Sequence, residues 1–266
     1  MSRLANFKGV IAPVFTPFFK DSSINYGVIQ EYAGLLKSKG VSAFLVNGTT
    51  GEGMSLSVDE RKKVTEKWME VCKKIDNLVM VQISGCPLPD VVELAKHASA
   101  LKVDGILCLP ELYFKPKSIS QLVDYMKNIS MHCQDIPLYY YHMPKNTQVD
   151  LNMGQFMEKA KKEIPNFCGI KYTSGDLDQG YPCLEYGQVF LGSASILCGA
   201  LALGFDSAIM TLLNLEPEIC IKIVELMKAQ KVDEARKQQQ LLNKLIKAYL
   251  EESELLYILH DCRYFD

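Results

Sequence analysis

Short apolar runs alternate with amphipathic segments along the chain. The runs are rich in β-branched, aromatic and aliphatic residues, which is typical of buried strands. They cover 9–15, 43–46, 79–83, 105–109, 138–141, 168–171, 189–191 and 207–210. Between them the apolar residues recur at helical spacing, for example over 28–36 and 58–71. Ser57, followed three residues later by Glu60, is a capping-box pair that predicts where the second of these helices starts.

Eight successive strand–helix units predict a parallel sheet closed into a (β/α)8 TIM barrel of the α/β class. An open doubly wound sheet has a similar alternation, but no Gly-x-Gly-x-x-Gly follows the first strand, which favours the barrel. The segments 216–229 and 232–249 predict two helices after the eighth strand. Since no Pro-, Gly- or Ser-rich linker interrupts the chain, we expect a single domain over 1–266. The barrel would cover about 7–230 and a C-terminal helical segment about 231–266.

Composition changes this picture little. The 266 residues are 48% hydrophobic and 23% charged, with a net charge of −2, which are ordinary globular values. The near-zero charge predicts neither a nucleic-acid nor a membrane partner. The first eight residues lack the apolar core of a signal peptide. The apolar stretch 196–213 is interrupted by Asp206 and contains Gly199 and Gly204, so we interpret it as protein interior rather than a membrane span.

The nine cysteines, Cys262 among them, form no C-x-x-C pair, and the four histidines are scattered. We therefore predict no metal site. Cys108 and Cys168 lie in apolar strands, where thiols behave as small hydrophobes. An odd number of cysteines without a secretion signal indicates a reducing compartment, so we predict a cytoplasmic protein.

Lys171 ends the apolar run 168–171. Desolvation favours the neutral amine, which is the form that attacks carbonyl groups, so Lys171 is a candidate Schiff-base nucleophile. The alternative is a strand-end lysine whose stem packs in the core while its head reaches water.

The second strand leads into a glycine-rich loop, Asn-Gly-Thr-Thr-Gly-Glu-Gly at 47–53. Thr49 and Thr50 supply hydroxyl groups, and backbone N–H groups in such a loop can bind a carboxylate or phosphate. The loop is not a P-loop, because no Gly-Lys-Ser/Thr follows at the required spacing. The alternative is a tight turn without a ligand.

The fifth strand ends in Tyr-Tyr-Tyr-His-Met-Pro at 139–144. Alternation places Tyr139 and Tyr141 on the same side, and a phenol at the strand tip can relay protons. A packed tyrosine is the alternative for Tyr141, and His142 is interpreted as a structural polar residue.

A closed barrel brings the ends of the second, fifth and sixth strands to one mouth. An amine, a phenol and a carboxylate-binding loop together predict a site for a small-molecule 2-oxo acid. The loop would hold the carboxylate, Lys171 would form an imine at the ketone carbon, and Tyr141 would carry protons. Aldol cleavage or condensation would follow, with no cofactor beyond the covalent imine.

The same residues carry a family resemblance. GTTGE at 48–52, YHMP at 141–144 and GIKYTSGD at 169–176 resemble the signatures of the N-acetylneuraminate lyase and dihydrodipicolinate synthase superfamily. The resemblance covers about 7–250, and the YYYH run at 139–142 is most similar to the animal-type N-acetylneuraminate lyases. Asn146 stands where dihydrodipicolinate synthases typically have an arginine that binds an amino-acid substrate.

The resemblance implies a carbon–carbon lyase that reversibly splits N-acetylneuraminate into pyruvate and the amino sugar N-acetylmannosamine. It implies that Lys171 is the Schiff-base lysine and Tyr141 the proton-transfer residue. It further implies a homo-oligomer, usually a tetramer, with Tyr113 as the candidate tyrosine contributed to a neighbouring subunit. Substrate-binding roles are implied for Thr49, Thr50, Thr173, Gly192, Ser193, Ser195 and Thr211.

Two departures from the family pattern leave alternatives open. Lyases usually carry aspartate and glutamate where this chain has Ala194 and Ser195, and those carboxylates bind the sugar's polyol tail. The C-terminal helical extension is expected to be shorter than in the family. The alternatives are a pyruvate-dependent aldolase for a smaller 2-oxo (keto-deoxy) acid, and a catalytically inactive paralogue.

Overall fold

The fold repeats a strand and a helix eight times, and a computed structural model describes it for residues 3–251. The strands are β1 Gly9–Pro13, β2 Ala43–Val46, β3 Leu78–Gln82, β4 Gly105–Cys108, β5 Leu138–His142, β6 Phe167–Tyr172, β7 Gln188–Leu191 and β8 Ser207–Ile209. The helices are α1 Ile29–Ser38, α2 Val58–Ile75, α3 Leu88–Ala100, α4 Ile119–Ser130, α5 Pro144–Thr147, α6 Met153–Glu163, α7 Leu177–Gly180, α8 Leu197–Ala202, α9 Pro217–Lys228 and α10 Val232–Glu251.

The strands form a closed parallel barrel in sequence order, with β1 pairing to β8. The predicted (β/α)8 fold is confirmed, and each predicted strand is present to within two residues. β1 ends at Pro13, two residues before the predicted end of this strand at position 15. The chain beyond it turns toward the β2 loop, where the Thr16 hydroxyl donates to the Gly51 carbonyl at 2.6 Å. The capping box at Ser57 and Glu60 is also present.

Strand alternation divides the core into two layers. One layer fills the barrel and includes Ile11, Leu45, Tyr139, Tyr141 and Phe190. The other lies between the sheet and the helices. Tyr139 and Tyr141 therefore share the inner side, as predicted, while their neighbour on the strand belongs to the outer layer.

The N-terminal end of the barrel is closed by a 3-10 turn at Arg3–Asn6. Leu4 is fully buried in the inner layer beneath Tyr139. The Tyr139 hydroxyl lies 3.3 Å from the Leu4 carbonyl oxygen and 3.0 Å from Gln188 Oε1. Packed side chains thus form a floor under the barrel.

After β8, helices α9 and α10 pack on each other and on the last repeat. The boundary between a barrel of about 7–230 and a helical segment of about 231–266 stays a prediction, because 252–266 and with them Cys262 lie outside the described residues. All eight cysteines within 3–251 are free thiols. The apolar stretch 196–213 forms α8, β8 and the connecting turns. No helix within 3–251 is both long and apolar enough to cross a bilayer.

Candidate active site

Lys171 lies near the C-terminal end of β6, and only 6% of the residue is exposed. Its Cα is paired with that of Tyr141 on β5. One Nζ–H donates to Tyr141 Oη at 3.0 Å, and Nζ lies 4.2 Å from the centre of the Tyr141 ring. Lys171 has no carboxylate partner among residues 3–251, so the Tyr141 hydroxyl is the polar group that Nζ contacts there. The side chain turns into the barrel rather than out to water.

Tyr141 connects Lys171 to the loop that follows β2. Its hydroxyl shares a hydrogen bond of 3.1 Å with Thr49 Oγ1, and the Thr49 hydroxyl also donates to Met143 Sδ at 3.6 Å. Amine, phenol and threonine hydroxyl therefore form one continuous chain of polar groups at the barrel mouth. Met143 lies within the YHMP motif, but sequence reasoning gave it no role, because a thioether is only a weak acceptor.

Backbone geometry fixes the β2 loop. Asn47 and Glu52 adopt left-handed conformations with φ of 59° and 51°. A Cβ at Gly53 would lie 2.0 Å from the Asn47 carbonyl oxygen, so only glycine fits there. The Asn47 amide group donates to the Arg61 carbonyl at 3.0 Å and to Thr65 Oγ1 at 3.1 Å, which ties the loop to α2.

The second threonine of the loop faces the strand-8 side of the mouth. Thr50 Oγ1 shares a hydrogen bond of 2.9 Å with Thr211 Oγ1. Within the described chain, the backbone N–H groups of Thr49 and Thr50 have no hydrogen-bond acceptor. Two free N–H donors and a hydroxyl pair are the groups that a carboxylate would need.

Asn214, which sequence reasoning missed, holds the turn that carries Thr211. Its Nδ2 donates to the carbonyls of Thr211 and Pro13, both at 2.9 Å. Tyr32 Oη donates to Asn214 Oδ1 at 2.6 Å and accepts from the Phe15 N–H at 3.3 Å. Burial raises the pKa of Tyr32, so its hydroxyl stays protonated. An isolated Asn after a strand gives no sequence signal of this kind.

The remaining predicted residues lie along the β6 and β7 side of the mouth. The Thr173 hydroxyl donates to the His142 carbonyl at 2.8 Å. The Gly192 N–H donates to the Tyr172 carbonyl at 2.7 Å, and a Cβ at Gly192 would lie 2.6 Å from Thr173 Cγ2. Gly192 thus allows β7 to approach Thr173 closely.

Ser193 and Ser195 lie on the turn beyond Gly192. Their hydroxyls share a hydrogen bond of 3.2 Å at the exposed rim. No hydrogen bond among residues 3–251 joins either serine to Lys171, Tyr141 or the Thr49–Thr50 pair. The predicted residues therefore fall into a buried group around Lys171 and a rim group at 193–195.

His142 backs the site from the outer face of β5. The residue is 2% exposed, its ring stacks on Tyr172 at 4.9 Å, and neither ring nitrogen has a partner in the described chain. Burial lowers the pKa of His142 to about 4, with Asp150 opposing that shift. A neutral imidazole without a substrate-facing bond fits the predicted structural role. No group of three or more His, Cys, Asp or Glu side chains in 3–251 has the arrangement of a metal site.

A family model described as the dihydrodipicolinate synthetase family matches residues 6–266. N-acetylneuraminate lyase from Danio rerio is 37% identical over 219 residues, which are 80% of this chain and 71% of that protein. N-acetylneuraminate lyase B from Xenopus laevis is 34% identical over 263 residues, covering 97% of this chain and 95% of that protein.

Solved structures agree with this assignment. The native N-acetylneuraminate lyase (sialic acid aldolase) of Aliivibrio salmonicida superposes with a TM-score of 0.89 at 32% identity, over 98% of this chain and 89% of that one. The Proteus mirabilis N-acetylneuraminate lyase superposes with a TM-score of 0.88 at 28% identity, over 94% and 85% of the two chains. The chain therefore belongs to the dihydrodipicolinate synthetase family, and within it is similar to the N-acetylneuraminate lyases.

Proposed function

We propose that this protein is a Schiff-base aldolase that reversibly cleaves N-acetylneuraminate to pyruvate and N-acetylmannosamine. The observation that carries the proposal is the buried Nζ of Lys171, hydrogen-bonded at 3.0 Å to Tyr141 Oη, which in turn bonds Thr49 at 3.1 Å. An amine needs a proton carrier beside it to condense with a ketone, and the phenol is within direct reach.

The first step joins Lys171 to the substrate. The neutral amine attacks the ketone carbon, and a nitrogen proton moves to the ketone oxygen. Tyr141 then gives its hydroxyl proton to that oxygen, which leaves as water, so a protonated imine and a phenolate result. The free N–H groups of Thr49 and Thr50 would hold the neighbouring carboxylate, so that the ketone carbon faces Nζ.

The second step breaks a carbon–carbon bond. The phenolate of Tyr141 takes the proton of the substrate hydroxyl two carbons from the imine. The oxygen's electrons form the aldehyde carbonyl, and the electrons of the breaking bond move toward the imine nitrogen and give an enamine. Tyr141 next protonates the enamine carbon, which gives the protonated imine and the phenolate again. Water adds to the imine carbon, the carbon–nitrogen bond breaks to release pyruvate, and the remaining proton returns to the phenolate, so the neutral Lys171 amine and the Tyr141 hydroxyl are restored. The reaction needs the Lys171 amine and no separate cofactor.

The choice of N-acetylneuraminate is supported by the similarity to N-acetylneuraminate lyases over most of the chain. Thr173, Gly192, Ser193, Ser195 and Thr211 are proposed to surround the sugar half. The rim turn has hydroxyl groups at Ser193 and Ser195, while the side chain of Ala194, between them in sequence, is buried in the outer core layer. We propose that the polyol is recognised here by hydrogen bonds with neutral serine hydroxyls, which donate and accept, rather than with carboxylates, which only accept.

Borohydride reduction in the presence of pyruvate tests the chemistry. We expect the folded protein to gain one reduced pyruvyl group on Lys171, located by peptide mass spectrometry, and Lys171→Met to gain none. Absence of the adduct in the unmodified protein would refute the aldolase proposal and favour an inactive paralogue. Pyruvate release from N-acetylneuraminate, compared with release from smaller keto-deoxy acids, tests the substrate. If kcat/KM were higher for a smaller keto-deoxy acid than for N-acetylneuraminate, the smaller acid would be the preferred substrate.

We also propose that the protein is a cytoplasmic homo-oligomer, a tetramer by resemblance. Tyr113 and Phe114, in the chain between β4 and α4, are 84% and 81% exposed, and they line an apolar cavity of about 670 Å³ with Leu88 and Leu112. Exposed aromatic groups of this size favour burial against another surface. Light scattering after size-exclusion chromatography tests this, and Tyr113→Ser with Phe114→Ser is expected to lower the measured mass.

A further inference from the structure

The rim turn after β7 is held by a helix that lies elsewhere in the chain. Gln239 of α10 donates through Nε2 to the Ala194 carbonyl at 2.9 Å and accepts through Oε1 from the Cys198 N–H at 2.8 Å. Asn243, one helical turn later, donates through Nδ2 to the Ser195 carbonyl at 3.1 Å. The two amide side chains also bond each other, because Gln239 Nε2 lies 2.9 Å from Asn243 Oδ1.

Among residues 3–251, the turn's own bonds are the Leu197 N–H donation to the Ala194 carbonyl and the hydroxyl pair of Ser193 and Ser195, and neither of them caps α8. Residues Ala194–Ile196 form a 3-10 turn that leads directly into α8, and neither Ser193 nor Ile196 makes a side-chain cap at the start of these elements. The first N–H groups of a helix have no acceptor inside it. Gln239 therefore supplies from α10 the cap for Cys198 that the local sequence omits.

The two ends of the turn are fixed by different contacts. On the strand side, Gly192 is held against the Tyr172 carbonyl and the Thr173 side chain. On the helix side, Gln239 binds the backbone on both sides of Ser195. The Ser193 and Ser195 hydroxyls lie between these two anchors, so their position depends on Gln239.

The imine-forming group has no such dependence. Among residues 3–251, the hydrogen bonds of Lys171, Tyr141 and Thr49 involve β5, β6 and the β2 loop, and none reaches α10. A change at Gln239 therefore separates recognition of the sugar half from chemistry at the amine.

We propose that Gln239 is a positioning residue for substrate specificity: through the 194–198 backbone it sets the hydroxyl-lined rim that recognises the polyol aldehyde. This inference rests on the proposed aldolase function. Asn243 supports the same turn and is expected to have a smaller effect, because it makes one bond to the turn while Gln239 makes two.

Gln239→Leu tests the inference, and Gln240→Leu is the matched control. The control makes the same chemical change at an exposed position one residue further along α10. For Gln239→Leu we expect KM for N-acetylneuraminate to rise about three- to tenfold, which is the size expected for one or two lost hydrogen bonds. We expect kcat to stay within about twofold, and the borohydride-trapped pyruvate adduct to form as in the unmodified protein. Gln239→Glu keeps the acceptor for Cys198 and loses the donor to Ala194, so its KM should be intermediate.

Hydrogen–deuterium exchange provides a readout independent of turnover. The backbone amides of 194–198 should exchange faster in Gln239→Leu than in the unmodified protein. Their exchange rates should not change in Gln240→Leu. Faster exchange with an unchanged KM would overturn the inference, because the contact would then be structural only. A parallel loss of the pyruvate adduct and of kcat would also overturn it, because the damage would not be confined to the rim. Absence of the adduct in the unmodified protein would instead refute the aldolase function on which the inference depends.

Discussion

Tyr141→Phe is the most informative single change in this site. It removes one oxygen atom and keeps the ring that lies 4.2 Å from the Lys171 ammonium. Two hydrogen bonds are lost, one of 3.0 Å to Lys171 and one of 3.1 Å to Thr49. The ring still fills its place in the inner core, so the effect reports on the hydroxyl alone.

The expected loss of activity follows from the role of a proton carrier. Positioned acid–base groups contribute about 10²- to 10⁴-fold to rate, which corresponds to about 2.7–5.4 kcal/mol of transition-state free energy. We therefore expect kcat for N-acetylneuraminate cleavage to fall by that factor. Imine formation with pyruvate should still occur, but more slowly, because Lys171 remains and water can carry protons.

Tyr139→Phe is the matched control. It removes the same atom from the same strand and the same inner side, but at the floor, where the hydroxyl lies 3.0 Å from Gln188 Oε1. A buried polar group left without its partner costs about 1–3 kcal/mol in either variant. Both should therefore lose a similar amount of stability, roughly 2–4 °C in Tm per kcal/mol for a domain of this size.

The assay combines pyruvate release under steady-state conditions with a borohydride trap after a single mixing. Thermal unfolding of both variants provides the stability comparison. The reasoning would be refuted by a Tyr141→Phe protein with kcat within tenfold of the unmodified one. It would equally be refuted if Tyr139→Phe lost as much activity as Tyr141→Phe, since the effect would then follow from stability.

Three further predictions concern stability. The unfolded chain protonates His142 near its ordinary pKa of 6.5 and the folded chain only at about 4, so its contribution to stability is present above pH 6.5 and falls by about 3 kcal/mol as the pH drops to 4. His142→Phe keeps the stack on Tyr172 and should flatten this part of a curve of unfolding free energy against pH; an unchanged slope would contradict the assignment. Gly53→Ala should destabilise the protein by about 1–3 kcal/mol and raise KM for pyruvate in the condensation direction, because its Cβ would collide with the Asn47 carbonyl at 2.0 Å. Gly34→Ala, on an exposed helical position with no atom within 4 Å of the added Cβ, should instead stabilise the protein by about 0.5–1 kcal/mol, and denaturant titration of the pair checks both signs.

The sequence predicted those parts of the protein that depend on local periodicity. Alternation along 138–142 was enough to place Tyr139 and Tyr141 on one side, and the succession of strands was enough to close the barrel. Once the barrel is closed, the ends of β5 and β6 are neighbours, so the meeting of Tyr141 and Lys171 follows from topology. The position of Thr49 near Tyr141 follows in the same way, because the loop that carries Thr49 begins where β2 ends at the mouth.

Contacts between distant segments could not be predicted this way. Thr50 and Thr211 are 161 residues apart, and their hydrogen bond depends on how two turns pack above the barrel. The contact between Gln239 and the 194–198 backbone depends on the crossing of α10 over the last repeat, and a glutamine in a polar helix face has no distinguishing pattern. Met143 was missed because its thioether looks like ordinary packing until the position of Thr49 Oγ1 is known.

The floor formed by Leu4 and Tyr139 has a kinetic consequence. Since this floor closes the N-terminal end of the barrel in the described part of the chain, ligands are expected to enter and leave by the mouth at the C-terminal ends of the strands. A pyruvyl group attached to the amine sits deeper than the rim at 193–195, so the aldehyde product must leave before pyruvate can. In the cleavage direction this enforces an ordered release, with pyruvate last. Added pyruvate should therefore inhibit competitively against N-acetylneuraminate, while added N-acetylmannosamine should not.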